Sequence, residues 1–148
     1  MVSKKIIILY AISLSIFLIY ILMLLLHYSE IPEIVASHLD IKGKVNGYSS
    51  KSSLWISSGV NLLVLAVMGL LIKKPEYANY PFEITDKNRE NAYEKMQLFL
   101  AVIAIITTAF FSFMVFKAVG FEKNFLYLIL YAIAAPIIAL LYFREAEK

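Results

Sequence analysis

Four long apolar runs divide this chain. Ile6–Leu26 covers 21 residues, and Leu54–Ile72, Leu98–Phe116 and Phe125–Phe143 cover 19 each, all without Asp, Glu, Lys, Arg or His. A helix rises about 1.5 Å per residue, so each run spans roughly 30 Å, the thickness of a bilayer core. The pattern predicts an all-α integral membrane protein. Its four transmembrane helices are expected at about 6–26, 54–72, 96–116 and 125–143, in a single membrane domain. A soluble four-helix bundle is disfavoured, because four uniformly apolar helices leave nothing polar to cover a protein of 148 residues. The first run is longer than the roughly 7–15 residues of a signal-peptide core, and no small-x-small cleavage site follows it. It reads as a retained helix.

The polar segment between the first two runs has its own pattern. Pro32 marks the exit from the first helix, and residues 37–41, SHLDI, alternate as a short strand does. Lys42-Gly43-Lys44 can turn, Val45 resumes, and Asn46-Gly47 is a strong turn dipeptide. A serine of the 49–53 stretch suits the N-cap of the second helix. The first loop, 31–52, is therefore expected to be structured and β-hairpin-like.

The second polar segment runs from Lys73 to Gln97. Pro75 should end the second helix, and Tyr80-Pro81 should be extended, because the residue before proline avoids the helical region. Thr85 is the expected N-cap of an extension of the third helix, with Asp86 in the first turn. Five acids balance five bases here, which suits a solvated helix start better than a docking site or a sensor of lipid charge.

Charge orients the frame. Nine Lys and Arg fall on the side of the N-terminus, the second loop and the C-terminal tail, against five on the side of the first and third loops. The positive-inside rule then places both termini in the cytoplasm and the 31–52 loop outside. Tyr28, Trp55 and Tyr127 sit near the expected outer ends of helices, and Tyr93 and Tyr142 near the inner ends, where amphipathic rings favour the headgroup level. Tyr20 and Tyr131 lie deeper and are expected to be buried.

Small residues recur at helical spacing: Ala101, Ala104, Thr108 and Ser112; Ala132, Ala135 and Ala139; Ala11 and Ser15; Ser58, Asn61 and Gly69. In lipid, helices associate through close packing and polar contacts, so these rows read as interfaces rather than a pore lining. Pro136 should bend the fourth helix. Asn61 is the most polar residue within a span, and a lone Asn there reads as an interhelical hydrogen bond. Pumps and proton-coupled carriers place ionisable groups at membrane depth, and these runs have none.

The loop residues also carry a resemblance. Pro32, His38, Gly43, Asn46-Gly47-Tyr48 and Ser50-Lys51 resemble the motif of domain of unknown function 1648, approximately P-x-x-x-P-x-H-F-x-x-x-G-x-x-D-x-x-x-S-K. Ala36 stands where a second proline is common, Leu39 replaces the aromatic and Asn46 the acid. The resemblance extends over roughly 31–116 and includes a second-loop motif at Asn79, Tyr80 and Pro81. The same domain occurs in SdpI-type membrane immunity proteins of bacteria. It implies a bacterial cytoplasmic-membrane protein whose loop recognises something at the surface, such as a peptide toxin. The alternative is an accessory subunit of a membrane transport or signalling complex, bound to a partner membrane protein.

Pro32, His38, Gly43, Asn46, Gly47 and Lys51 are the candidate residues for loop shape or ligand recognition. Cysteine is absent, which excludes disulfides and thiolate sites. His38 and Asp40 share a strand face but match no zinc spacing, so no metal or cofactor is expected. Ser37, His38 and Asp40 are too close along one strand to form a catalytic relay, so no enzyme is expected. The lipid bilayer is the expected surrounding. The net charge of +3 is local to the helix ends and gives no reason to invoke nucleic acid.

Overall fold

The computed structural model describes residues 2–39 and 45–121, together with 123, 126–127, 129–130 and 133–134. Its elements in order are α1 (Lys4–His27), β1 (Ile34–Leu39), β2 (Val45–Ser50), α2 (Ser53–Lys73), a 3-10 turn (Pro75–Tyr77) and α3 (Arg89–Ala118). Among the described residues three helices, α1, α2 and α3, are long and apolar enough to cross a membrane. The fourth expected span, 125–143, lies mostly outside the described residues, as do the expectations placed on Tyr131, Ala132, Ala135, Pro136, Ala139 and Tyr142.

Each helix buries one narrow seam. Ser13, Ile16, Tyr20 and Leu24 do so on α1, Leu54, Ser58, Asn61 and Leu65 on α2, and Gln97, Ala101, Ala104, Thr108, Ser112 and Val115 on α3. The steps of three and four are those of a single helix face. The inward seams are rich in Ala, Ser, Thr and Asn, while Leu18, Leu22, Leu63, Leu70, Ile106 and Phe110 point outward and are more than half exposed. Water would favour the reverse arrangement. Small inward and large apolar outward residues suit lipid, where backbones approach closely at small side chains. The chain therefore has the build of a multi-pass membrane protein.

Helix α3 is the common partner: α1 and α2 both pack along it and touch each other little. The polar seam residues join the three. Asn61 Nδ2 donates to the Tyr20 hydroxyl at 2.9 Å, and Thr108 Oγ1 donates to Asn61 Oδ1 at 3.3 Å. Asn61 thus acts as the interhelical link expected of it, and Tyr20 is fully buried. The row on α3 is buried as expected. On α1, Ala11 and Ser15 are only half-buried. The packed face is instead the Ser13–Ile16–Tyr20–Leu24 line, because Tyr20 must reach Asn61. Nearer the other end, the Tyr10 hydroxyl donates to the Leu65 carbonyl at 2.7 Å. Gly69 makes room for it, since a Cβ there would lie 2.5 Å from that oxygen.

The helix ends follow capping chemistry. Ser3 accepts from Ile6 N at the start of α1. Gln97 Nε2 donates to the Ile72 carbonyl at 2.8 Å, satisfying an end group of α2 from the neighbouring helix. Gly120, at φ +78°, closes α3: Phe121 N bonds Phe116 O and Gly120 N bonds Lys117 O, the paired pattern of a Schellman motif.

The start of α3 differs from expectation. Thr85 is not its N-cap; Asn88 holds that position and residues 86–88 form a turn. The Thr85 carbonyl accepts from Asn88 N and Arg89 N. The Asn88 side chain folds back, accepting from Thr85 N at 2.8 Å and donating to the Glu83 carbonyl at 3.0 Å. Asp86 pairs with Arg89 at 2.7 Å. These local bonds hold the turn and move the helix start by one turn.

Candidate functional site at the hairpin

Strands β1 and β2 form an antiparallel hairpin at the end of the bundle where α1 ends and α2 begins. Val35 and Ile31 are buried in the same apolar cluster as Tyr20, Leu24, Leu54 and Phe116, so one face of the hairpin is part of the core. Asp40 and the expected turn Lys42-Gly43-Lys44 lie outside the described residues.

The base of the hairpin converges on Lys51. Its backbone N–H donates to the Glu33 carbonyl at 2.9 Å, continuing the strand pairing by one step. Its Nζ lies 2.8 Å from Glu33 Oε1, 3.4 Å from the Ile31 carbonyl and 5.1 Å from the centre of the Tyr28 ring. Tyr28 in turn packs against Trp55 with ring centres 5.7 Å apart. The aliphatic stem of Lys51 is covered while its charge meets a carboxylate, a carbonyl and a ring face, an arrangement that suits the edge of an apolar layer. Pro32, beside this cluster, is exposed.

The strands step out of register around His38. Val35 pairs with Ser49 and Ala36 with Tyr48, then His38 with Gly47 and Leu39 with Val45. Ser37 is therefore the extra residue on β1 and Asn46 the extra residue on β2. Such paired irregularities bend and twist a ribbon. Asn46-Gly47, expected as the turn, lies inside β2 instead. The glycine serves close approach: a Cβ at Gly47 would lie 2.8 Å from His38 Nδ1 and 3.1 Å from His38 Cβ. His38 is exposed, with Nδ1 3.0 Å from Ser37 Oγ. Asn46 is exposed too, and so is Tyr48, at 71%.

Between the hairpin, the first turns of α2 and the last turns of α3 lies a cavity of about 440 Å³, within the range typical of small-molecule sites. Ala36, Ser37, His38, Tyr48 and Ser49 form its hairpin side, Ser53, Leu54, Ser57 and Ser58 its α2 side, and Phe110, Phe111, Met114 and Val115 its α3 side. Ser49 and Ser53 share a hydrogen bond at 2.8 Å, while Ser57 and Ser58 donate to the Ser53 and Leu54 carbonyls. The sequence reading missed this cavity. The signal for it was the serine row 49, 53, 57, whose last two members share a helix face.

The second-loop residues lie at the opposite end of the bundle. The Tyr80 hydroxyl donates to the Pro75 carbonyl at 2.9 Å, and its ring lies 6.0 Å from those of Phe82 and Tyr93. Burial, with Tyr93 and Glu76 nearby, holds the Tyr80 phenol above its ordinary pKa, so it remains a donor. Asn79 and Pro81 are exposed. The structure does not bring this motif together with the hairpin. Among the described residues no three His, Asp or Glu side chains converge as metal ligands.

No curated protein and no solved structure matches the chain. One family does: its description is Domain of unknown function (DUF1648), and it matches residues 15–62. That stretch runs from mid-α1 through the hairpin to mid-α2, so it holds Tyr20, Asn61, His38 and Lys51 and stops short of the second-loop motif. The span anticipated from the loop residues, 31–116, is thus corrected at both ends. The shared unit is the hairpin with the two half-helices that carry it: residues 15–62 of this chain are a DUF1648 domain.

Proposed function

We propose that this chain is a surface-recognition protein of a bacterial cytoplasmic membrane, of the immunity type, whose outward hairpin meets a membrane-active peptide. Both termini face the cytoplasm in this reading, in keeping with the charge asymmetry of the loops. One observation carries it: the hairpin is fixed to the bundle through Val35, Ile31 and Lys51 and leaves His38, Asn46 and Tyr48 exposed. A segment that served only to join α1 to α2 would not need a braced ribbon with exposed aromatic side chains, and rigid aromatic presentation is what recognition surfaces share.

Deleting the gene should sensitise cells several-fold to at least one membrane-active peptide. The wild-type gene should restore resistance, and a His38→Ala, Tyr48→Ala gene should not, at equal membrane levels of protein. Unchanged sensitivity across a broad panel of such peptides would remove the reading.

An accessory-subunit role is the second reading, supported by the lack of ionisable residues within the apolar runs. Affinity purification in mild detergent separates the two, because this role requires a stoichiometric membrane partner.

A further inference from the structure

We propose that the cavity beneath the hairpin binds the apolar chain of a small membrane-resident amphiphile with an uncharged, hydrogen-bonding head. His38 and Tyr48, exposed on the hairpin, also line this cavity, but the inference rests on the cavity's α2 and α3 walls and does not depend on peptide recognition.

The shallow end of the cavity is polar at Ser49 and Ser53, and its serines continue down α2 as Ser57 and Ser58 opposite the apolar wall of α3. Ser49 and Ser53 lie at the hairpin level, where α2 begins. Helix α3 runs the other way, so Met114, Phe111 and Phe110 lie successively deeper. Phe110 lines the cavity and is also 60% exposed on the outward apolar face. The deep end therefore reaches the surface that lipid would cover. A ligand entering there arrives with its chain already in an apolar medium.

Hydrogen-bond capacity defines the head. The Ser49–Ser53 pair uses one of its two hydroxyl hydrogens internally, which leaves one to donate. Ser57 and Ser58 spend their hydrogens on backbone carbonyls and keep oxygen lone pairs to accept. Among the described residues that line the cavity there is no Asp, Glu, Lys or Arg, and His38 is at its hairpin side, away from the α2 serines. A charged head would lose its hydration there without a counter-charge, which is strongly unfavourable. A hydroxyl- or amide-bearing head would meet both a donor and acceptors.

The chain has a single tryptophan, Trp55, which makes quenching a direct readout. In a Trp55→Phe background, Phe111→Trp places a reporter in the cavity, and Phe99→Trp places a control on the outward face of α3. Both proteins, full length in nanodiscs, are titrated with an alkyl maltoside whose chain is brominated. Quenching of the cavity reporter should saturate at a mole fraction where quenching of the control still rises linearly. Ser57→Leu, which fills the cavity from α2, should abolish the saturating component, and Ala36→Phe fills it from the hairpin should the first variant fail to fold. Replacing the maltoside by a sulfate or trimethylammonium head should raise half-saturation several-fold. Linear quenching at both reporters, or saturation that survives both fillings, would overturn the site. Equal titrations with charged and uncharged heads would overturn the assignment of the head.

Discussion

Asn61→Leu is expected to destabilise the helix bundle by roughly 2–3 kcal/mol, the cost of removing the central partner from two buried hydrogen bonds. Leucine keeps the branching and the number of side-chain heavy atoms but its methyls are bulkier, so a double-mutant cycle is what separates the hydrogen bond from packing. Asn61 is fully buried and joins Tyr20 on α1 to Thr108 on α3 from its own place on α2. With leucine there, the Thr108 hydroxyl loses its interhelical acceptor. The Tyr20 hydroxyl loses only an incoming donor, which is why the effect should fall short of two wholly unsatisfied groups. Interhelical hydrogen bonds in lipid average about 0.6 kcal/mol by double-mutant cycles, with a maximum near about 1.7. A cycle pairing Asn61→Leu with Thr108→Val, read by unfolding in mixed micelles, should therefore give a coupling of about 0.5–1.5 kcal/mol. Leu63→Ala, on the outward face of the same helix, should change little. A bundle that loses no stability on Asn61→Leu would mean that small-residue packing alone holds the helices.

Lys51→Met should release the hairpin while leaving the bundle intact. Methionine keeps most of the aliphatic stem and removes the charge, so the change tests the head group alone. The ion pair with Glu33 contributes little by itself, because the carboxylate is 81% exposed and water screens it. The cation over Tyr28 is worth about 0.5–1 kcal/mol at such a site, and the bond to the Ile31 carbonyl about 0.5–1.5 kcal/mol. Together they should loosen hairpin docking by about 1–2 kcal/mol. Amide exchange is the right probe, since local opening is separable from global unfolding. Exchange in β1 and β2 should accelerate about tenfold, while the amides of α3 keep their protection. Acceleration spread evenly over α3 would show that Lys51 supports the whole fold rather than the cap.

The sequence was most legible where one physical requirement dominates. The apolar runs 6–26 and 54–72 became α1 and α2 within two residues at each end, since nothing polar can stay within a span without a partner. The rows Ala101–Ser112 and Ser58–Asn61 were legible for the same reason: lipid leaves small and polar residues only the interior. Errors arose where local propensity competes with tertiary contact. Asn46-Gly47 has strong turn chemistry, yet it sits within β2 because His38 needs the space a glycine leaves. Thr85 has good N-cap chemistry, yet Asn88 binds the loop backbone on both sides and shifts the helix start. Ala11 and Ser15 have the right size for an interface, yet the Tyr20–Asn61 bond sets which face of α1 turns inward. The cavity was illegible because it belongs to three elements that only the fold brings together. His38 and Lys51 were both singled out by the loop motif, and the structure separates them: Lys51 braces the base while His38 lies exposed beyond the register break.

Recognition of an external peptide requires the hairpin to face outward, and the absence of native cysteine makes that directly measurable. Single-cysteine variants Tyr48→Cys on the hairpin and Glu83→Cys in the second loop, both at exposed positions, are treated with a membrane-impermeant maleimide on intact cells. Tyr48→Cys should label at once and Glu83→Cys only after permeabilisation. Labelling of Glu83→Cys in intact cells, with Tyr48→Cys protected until the membrane is opened, would place the hairpin in the cytoplasm and contradict recognition of an external peptide.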